Sequence, residues 1–99
     1  MSKILIVDDE KSIRLSISEL LLRDGFDAVA VPDASMALEM LQQQSFDVLL
    51  TDIIMPRMNG MDLAARVRKE NQSIQIIIMT GEPTVETATL AVQSNVNDY

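Results

Sequence analysis

The chain contains no cysteine and no histidine among its 99 residues. Disulfides, zinc sites with thiolate or imidazole ligands, thiol catalysis, histidine general bases and phosphohistidine on this chain are therefore excluded. No apolar run is longer than four residues, which is far below the ~18–20 residues that a membrane span requires. Eight basic residues stand against 15 acidic ones, and the net charge of −7 repels nucleic-acid phosphates. Direct binding of nucleic acid or membrane is not expected.

The length and the composition describe one globular domain. Hydrophobic residues make up 47% of the chain and charged residues 23%, which is unlike disordered or collagen-like sequences. A chain of 99 residues holds one core at the usual domain size of ~100–200 residues. Met1–Lys3 leads directly into a short apolar run that ends in acidic residues, a pattern unlike a signal peptide. We therefore expect a single soluble, cytoplasmic domain over residues 1–99.

Short apolar runs, rich in β-branched residues, alternate with longer segments of helical periodicity. Continuous apolar runs predict strands that are covered on both faces. Four strands are predicted, and the last residues would begin a fifth: Ile4–Val7, Ala28–Val31, Val48–Asp52, Ile74–Met79 and Asn97–Tyr99. Strand starts every ~20–27 residues are typical of βα repeats, which build a parallel sheet with helices on both faces. The sequence therefore predicts a doubly wound α/β fold.

The segments between the strands predict helices. In the first segment Gly25 ends an apolar pattern at the spacing of one helix face, formed by Ile13, Ile17, Leu20 and Leu21. Asp33 is the predicted N-cap of the second helix. Asn59 and Gly60 are predicted turn residues before a third helix. Pro83 is suited to the first turn of a fourth.

Carboxylates and a hydroxyl follow the ends of three predicted strands. Asp8 and Asp9 follow the first strand. Asp52 ends the third strand and Thr80 follows the fourth. Ligands of open parallel sheets bind at the carboxyl ends of the strands, so we expect these side chains to converge. The chain has no GxGxxG or GxxxxGK[ST] motif, which excludes a dinucleotide or P-loop site.

Converging carboxylates imply a specific chemistry. Each pair would repel by roughly 3 kcal/mol at ~5 Å and an effective dielectric of 20. Either the pKa values rise or a cation neutralises the charge, and oxygen-only ligands suit Mg²⁺. A carboxylate beside Mg²⁺ can also accept a phosphoryl group, while a nearby hydroxyl donates to a phosphate oxygen.

Each of these residues also has a purely structural interpretation. Asp8 and Asp9 are also suited to capping the first helix. Asp52 could close its strand as a surface acid, and Thr80 could be an ordinary polar residue at a strand end.

Four motifs together carry a resemblance to a known family. They are ILIVDDE at 4–10, DIIMPRMNG at 52–60, IIIMTG at 76–81 and NDY at 97–99. In order and spacing the chain resembles the receiver domain of two-component response regulators. The resemblance covers essentially the whole chain and implies a flavodoxin-like fold with strand order 2-1-3-4-5.

The resemblance implies a phosphorylation site that contains a metal. Asp52 would accept a phosphoryl group from a sensor histidine kinase. Asp9 would bind Mg²⁺ directly and Asp8 would bind it through water. Asp52 itself and the backbone carbonyl of Ile54 would complete the protein's ligands.

The resemblance also implies a switch and an output. Thr80 would be the switch hydroxyl, and Tyr99 the aromatic residue that turns inward when Thr80 is drawn to the phosphate. Residues 80–99 most resemble receivers of transcription factors, which implies a DNA-binding output domain outside this chain.

The sequence departs from the family pattern after Tyr99. Receivers carry Lys-Pro three residues beyond the switch aromatic, followed by a final helix, whereas this sequence ends at Tyr99. We therefore expect a receiver that lacks most of strand five and all of helix five. We also expect this form to self-associate, because the missing elements would leave a strand edge and part of a sheet face uncovered.

Two other functions compete with the phosphorylation switch. A hydrolase that passes through an aspartyl phosphate usually has a second acid two residues after the nucleophile, and Ile54 at that position argues against it. A dimerisation or interaction module that responds poorly to phosphorylation is the alternative, because the phosphate-binding Lys is absent. We do not expect an enzyme beyond catalysis of its own phosphorylation and dephosphorylation.

Overall fold

The computed structural model describes residues 2–53, 55 and 57–79. The elements are β1 (Lys3–Val7), α1 (Lys11–Arg23), β2 (Asp27–Val31), α2 (Ala34–Gln43), β3 (Val48–Asp52), α3 (Gly60–Glu70) and β4 (Gln75–Met79). The first four predicted strands are confirmed, with starts shifted by at most one residue. The predicted helix after Gly81 and the strand from Asn97 lie outside the described residues. None of the described helices combines the length and the apolar character needed to cross a membrane.

The four strands form one parallel sheet in the order β2-β1-β3-β4. Val7, at the end of β1, pairs with Val31 on one side and with Thr51 on the other. Asp52 pairs with Met79 on β4. The carboxyl ends of all four strands therefore lie along one edge of the sheet, and the predicted order is confirmed for these strands.

Side chains of alternate strand residues face two helical layers. Leu5 and Val7 belong to the main core, which also contains buried residues of α2 and α3. Ile4 and Ile6 are buried as well, but strand alternation turns them to the opposite face, where α1 packs on β1 and β2. Helices thus cover both faces, as the doubly wound prediction requires.

Polar caps begin α2 and α3. The Asp33 carboxylate accepts a 2.9 Å hydrogen bond from the Met36 amide, which confirms Asp33 as the N-cap of α2. The Asn59 side chain accepts a 2.9 Å bond from the Asp62 amide. Asn59 and Gly60, predicted as turn residues, therefore begin α3 directly. The two helices are anchored at the edge where the strands end.

The first helix, α1, packs less deeply than its apolar pattern predicts. None of its residues is buried, and two residues of the predicted apolar face, Ile13 and Leu20, are 37% and 56% exposed. The half-buried residues of α1 are Arg14, Ile17, Ser18 and Leu21. Among the described elements, α1 packs on β2 and on β1, and more on β2, the outer strand of the described sheet. Gly25, with φ of 89°, follows the end of the helix as predicted.

Candidate functional site

Three carboxylates meet at the carboxyl edge of the sheet. Asp8 and Asp9 follow β1, and Asp52 is the last residue of β3. Because Val7 and Thr51 are in register on adjacent parallel strands, the residues that follow them emerge side by side. One carboxylate oxygen from each of the three aspartates lies within 4.8 Å of the other two. The structure therefore brings together the three acids that the sequence predicts at this edge.

The three carboxylates differ in their environment. Asp8 is only 2% exposed, whereas Asp9 is exposed and Asp52 is half-buried. Burial raises the pKa of Asp8, and repulsion from Asp52, Asp9 and Glu10 adds to the rise, while a hydrogen bond from the Glu10 amide opposes it. The ionised form of Asp8 is thus held at a cost that a neighbouring cation would relieve.

The loop between β1 and α1 holds Asp8 through hydrogen bonds. The Asp8 amide donates to the carbonyl of Val31 at 3.2 Å. Its carboxylate accepts from the Glu10 amide at 2.9 Å. The N-cap residue of α1 is Glu10, so neither Asp8 nor Asp9 occupies the capping position that was the alternative interpretation. Asp8 instead stabilises the loop that carries Asp9.

The backbone around Asp52 is fixed by residues on both sides. The buried Thr51 hydroxyl donates to the Asp52 carbonyl at 3.0 Å. A Cβ atom at Gly60 would lie 2.0 Å from the same carbonyl oxygen. The Gly60 amide also donates to the Ile53 carbonyl at 2.9 Å. Only glycine permits this approach of α3 to the end of β3.

The contact of Gly60 with the site was not predicted from the sequence. Its interpretation as a turn residue explained the glycine without reference to Asp52. The available signal was a glycine eight residues after a candidate site residue. Glycine is often found where another segment of backbone approaches closely, because it has no Cβ atom. Which backbone approaches it is decided by the packing of α3.

The donor set fits a hard divalent cation. All three groups offer carboxylate oxygens, which are the ligands that Mg²⁺ prefers in proteins. Like charges at about this separation repel by roughly 3 kcal/mol per pair at an effective dielectric of 20. A cation between them would offset that repulsion, so the chemistry of the cluster is suited to binding Mg²⁺.

A cavity adjoins the cluster. Its volume is about 280 Å³, and its lining includes Asp9 from the β1–α1 loop, Ser35 from α2 and the exposed Arg57 from the β3–α3 connection. Arg57 has a φ of 70°, a conformation that residues other than glycine rarely adopt. The cavity leaves space beside Asp9, the exposed member of the cluster, for a ligand or for part of a partner.

Three of the residues predicted for the site, Ile54, Thr80 and Tyr99, lie outside the described residues. Their predicted roles in metal binding and switching stay predictions.

The fold and the acidic edge define a doubly wound α/β domain with a carboxylate cluster at the ends of two adjacent strands. The family model of the response regulator receiver domain matches residues 4–99. The chain therefore belongs to the receiver domain family, whose members are signalling switches rather than classical enzymes.

Individual proteins show the same relationship. The chain is 33% identical over 99 residues to the transcriptional regulatory protein CpxR of Escherichia coli (strain K12), covering 100% of this chain and 42% of CpxR. The structure of the Vibrio cholerae chemotaxis protein CheY4 matches with a TM-score of 0.94 at 31% identity, over 99% of this chain and 83% of that one. The response regulator protein TrrA of Thermotoga maritima, solved with Mg(2+)-BeF, matches with a TM-score of 0.91 at 27% identity, over 100% of this chain and 84% of TrrA. The chain thus spans less than half the length of CpxR.

Proposed function

We propose that this domain takes a phosphoryl group from the phosphohistidine of a sensor histidine kinase onto Asp52 and thereby changes its interaction surface. The observation that carries the proposal is the meeting of Asp8, Asp9 and Asp52, with one oxygen of each within 4.8 Å of the others. Membership of the receiver family supports the type of reaction. These 99 residues contain no histidine, so the donor imidazole lies outside them.

In this proposal Asp52 supplies the nucleophile. One of its carboxylate oxygens forms a bond to phosphorus while the bond between phosphorus and the partner's imidazole nitrogen breaks. The electron pair of the broken bond stays on that nitrogen. The half-buried position of Asp52 at the strand end leaves it partly accessible to the partner, and the cavity lined by the neighbouring Asp9 provides space at this edge of the sheet.

Asp8, Asp9 and Asp52 are the residues that would hold Mg²⁺. When bound, the ion would neutralise charge on the carboxylates and on the transferring group. The carboxylate donor set supports this assignment, and the related TrrA was solved with Mg(2+)-BeF. Asp9 as a direct ligand and Asp8 as a ligand that acts through water stay predictions from the family resemblance. The carbonyl of Ile54 stays a predicted fourth contribution.

The switch and the output extend the proposal beyond the described residues. We assign the switch to Thr80 and Tyr99 on the family resemblance. A transcriptional output is supported by the name of CpxR, a transcriptional regulatory protein. Self-association of the chain stays a prediction, which size-exclusion chromatography with light scattering would test.

Intact mass spectrometry after incubation with acetyl phosphate and Mg²⁺ tests the phosphoacceptor. In this reaction the bond between phosphorus and the acetate oxygen breaks, and acetate leaves. We expect the wild type to gain one phosphoryl group and Asp52→Asn to gain none, because an amide is a poor nucleophile and a poor metal ligand.

Asp24→Asn is the matched control. Asp24 lies at the C-terminal end of α1, near the opposite edge of the sheet, and its variant should be modified like the wild type. Normal modification of Asp52→Asn would show that the assignment is wrong. An unmodified wild type that self-associates would favour the interaction module instead.

A further inference from the structure

Arg14 occupies an unexpected position on α1. It is half-buried and shares the sheet-facing side of the helix with Ile17 and Leu21. By contrast, the aliphatic side chains of Leu15 and Leu22 are 55% and 56% exposed. Charged side chains normally occupy the solvent side of such a helix. A half-buried arginine on this side of the helix therefore requires a polar partner for its guanidinium.

That partner is the carbonyl of Asp8. Arg14 Nη1 donates to the Asp8 carbonyl oxygen at 2.8 Å, across the whole β1–α1 loop. The Asp8 amide donates to the Val31 carbonyl, and its carboxylate accepts from the Glu10 amide. The amide, the carbonyl and the carboxylate of Asp8 are thus each engaged by a different part of the chain.

The position of this bond determines what it controls. The carbonyl of Asp8 belongs to the peptide unit that joins Asp8 to Asp9. Fixing that peptide plane fixes the direction in which Asp9 leaves the strand, and Asp9 is the exposed member of the carboxylate cluster. Because the guanidinium group of arginine is planar and always charged, it holds a hydrogen-bond acceptor in a defined orientation.

We propose that Arg14 is a positioning residue, which anchors the Asp8–Asp9 peptide and so holds the Asp9 carboxylate beside Asp52. The consequence for metal binding rests on the proposed function. The anchoring itself is a property of the protein without metal. Residues that orient metal ligands typically change metal affinity by about 10–100-fold when they are lost, so removal of the guanidinium should weaken Mg²⁺ binding about tenfold.

The test compares Arg14→Met with Arg23→Met. Methionine keeps much of the unbranched stem and removes the donors. Arg23 is an exposed arginine in the last turn of the same helix, which makes it a matched control. Arg14→Lys restores one charged donor, and it remains informative if Arg14→Met does not fold.

The first readout is amide hydrogen exchange of Glu10 in the protein without divalent cations. The Glu10 amide donates to the Asp8 carboxylate, so it reports the order of the loop independently of metal. Exchange should be faster in Arg14→Met, intermediate in Arg14→Lys and unchanged in Arg23→Met. Unchanged exchange in both Arg14 variants would overturn the proposal.

The second readout is the Mg²⁺ dissociation constant from calorimetric titration at a temperature where circular dichroism shows each variant folded. It should rise about tenfold in Arg14→Met, less in Arg14→Lys and not in Arg23→Met. An affinity within twofold of the wild type in both Arg14 variants would overturn the link to the site and leave Arg14 as a packing residue. A wild type that neither binds Mg²⁺ nor gains a phosphoryl group would overturn the proposed function instead, while the exchange readout still decides the anchoring.

Discussion

Replacing Gly60 with alanine would force apart two segments that hold the candidate site. The new Cβ would lie 2.0 Å from the Asp52 carbonyl oxygen, 2.9 Å from the Asp52 carbonyl carbon and 3.1 Å from Cα of Ile53. A carbon–oxygen contact is ordinarily ~3.3 Å or longer, so the two must separate by more than about 1 Å. All three atoms belong to the backbone, which cannot rotate out of the way as a side chain can.

The expected cost follows from this geometry. Overpacking a well-packed site costs about 1–3 kcal/mol, and a clash with backbone belongs at the upper end. Alanine recovers up to about 1 kcal/mol relative to glycine within a helix, which leaves a net loss near 2 kcal/mol. For a domain of this size that loss lowers the melting temperature by about 8–16 °C. Because the clash would displace the backbone of Asp52, whose carboxylate lies within 4.8 Å of those of Asp8 and Asp9, Mg²⁺ binding and phosphorylation should also decline.

Gly25→Ala is the matched control. Gly25 has a φ of 89°, and an added Cβ would meet nothing within 4 Å. Alanine there costs about 1–2 kcal/mol for the left-handed backbone conformation and lies far from the carboxylates. Thermal unfolding by circular dichroism and intact mass after acetyl phosphate treatment distinguish the two variants. If Gly60→Ala kept wild-type stability and phosphorylation, the inferred close approach would be wrong.

Three further predictions concern the carboxylates and a helix cap. Burial raises the pKa of Asp8, so the folded state holds its proton more tightly than the unfolded chain. Protonated Asp8 therefore favours the folded state, and this contribution to the free energy of unfolding is lost as pH rises from the ordinary aspartate pKa through the raised pKa of the folded state. Asp8→Asn should unfold at a higher urea concentration than the wild type at pH ~7 without divalent cations, and lower stability would contradict this. Mg²⁺ at ten times its dissociation constant should stabilise the wild type by about 1.4 kcal/mol, and a similar thermal shift in Asp9→Ala would place the metal elsewhere. Asp33→Ala should cost about 1 kcal/mol by removing the bond from the Met36 amide, and unchanged urea unfolding would contradict that role.

Much of the arrangement follows from local patterns. The apolar runs predicted the strands, and the acids directly after two of them predicted where a site forms. That inference succeeds because parallel strands place their carboxyl ends on one edge, so sequence position alone determines that Asp8 and Asp52 share it. The role of Asp33 as an N-cap could also be predicted from the sequence, because its hydrogen bond connects residues that are only three positions apart.

Packing decided what local patterns leave open. Helical periodicity predicted an inward apolar face on α1, but in the fold Ile13 and Leu20 of that face are exposed, whereas Arg14 is half-buried. Two adjacent aspartates look equivalent in sequence, yet Asp8 is buried and Asp9 is exposed, and the amide of Asp8 hydrogen-bonds to the Val31 carbonyl at the end of β2. Burial, and with it the pKa of Asp8, depends on every element that surrounds a residue, and only the tertiary structure brings those elements together.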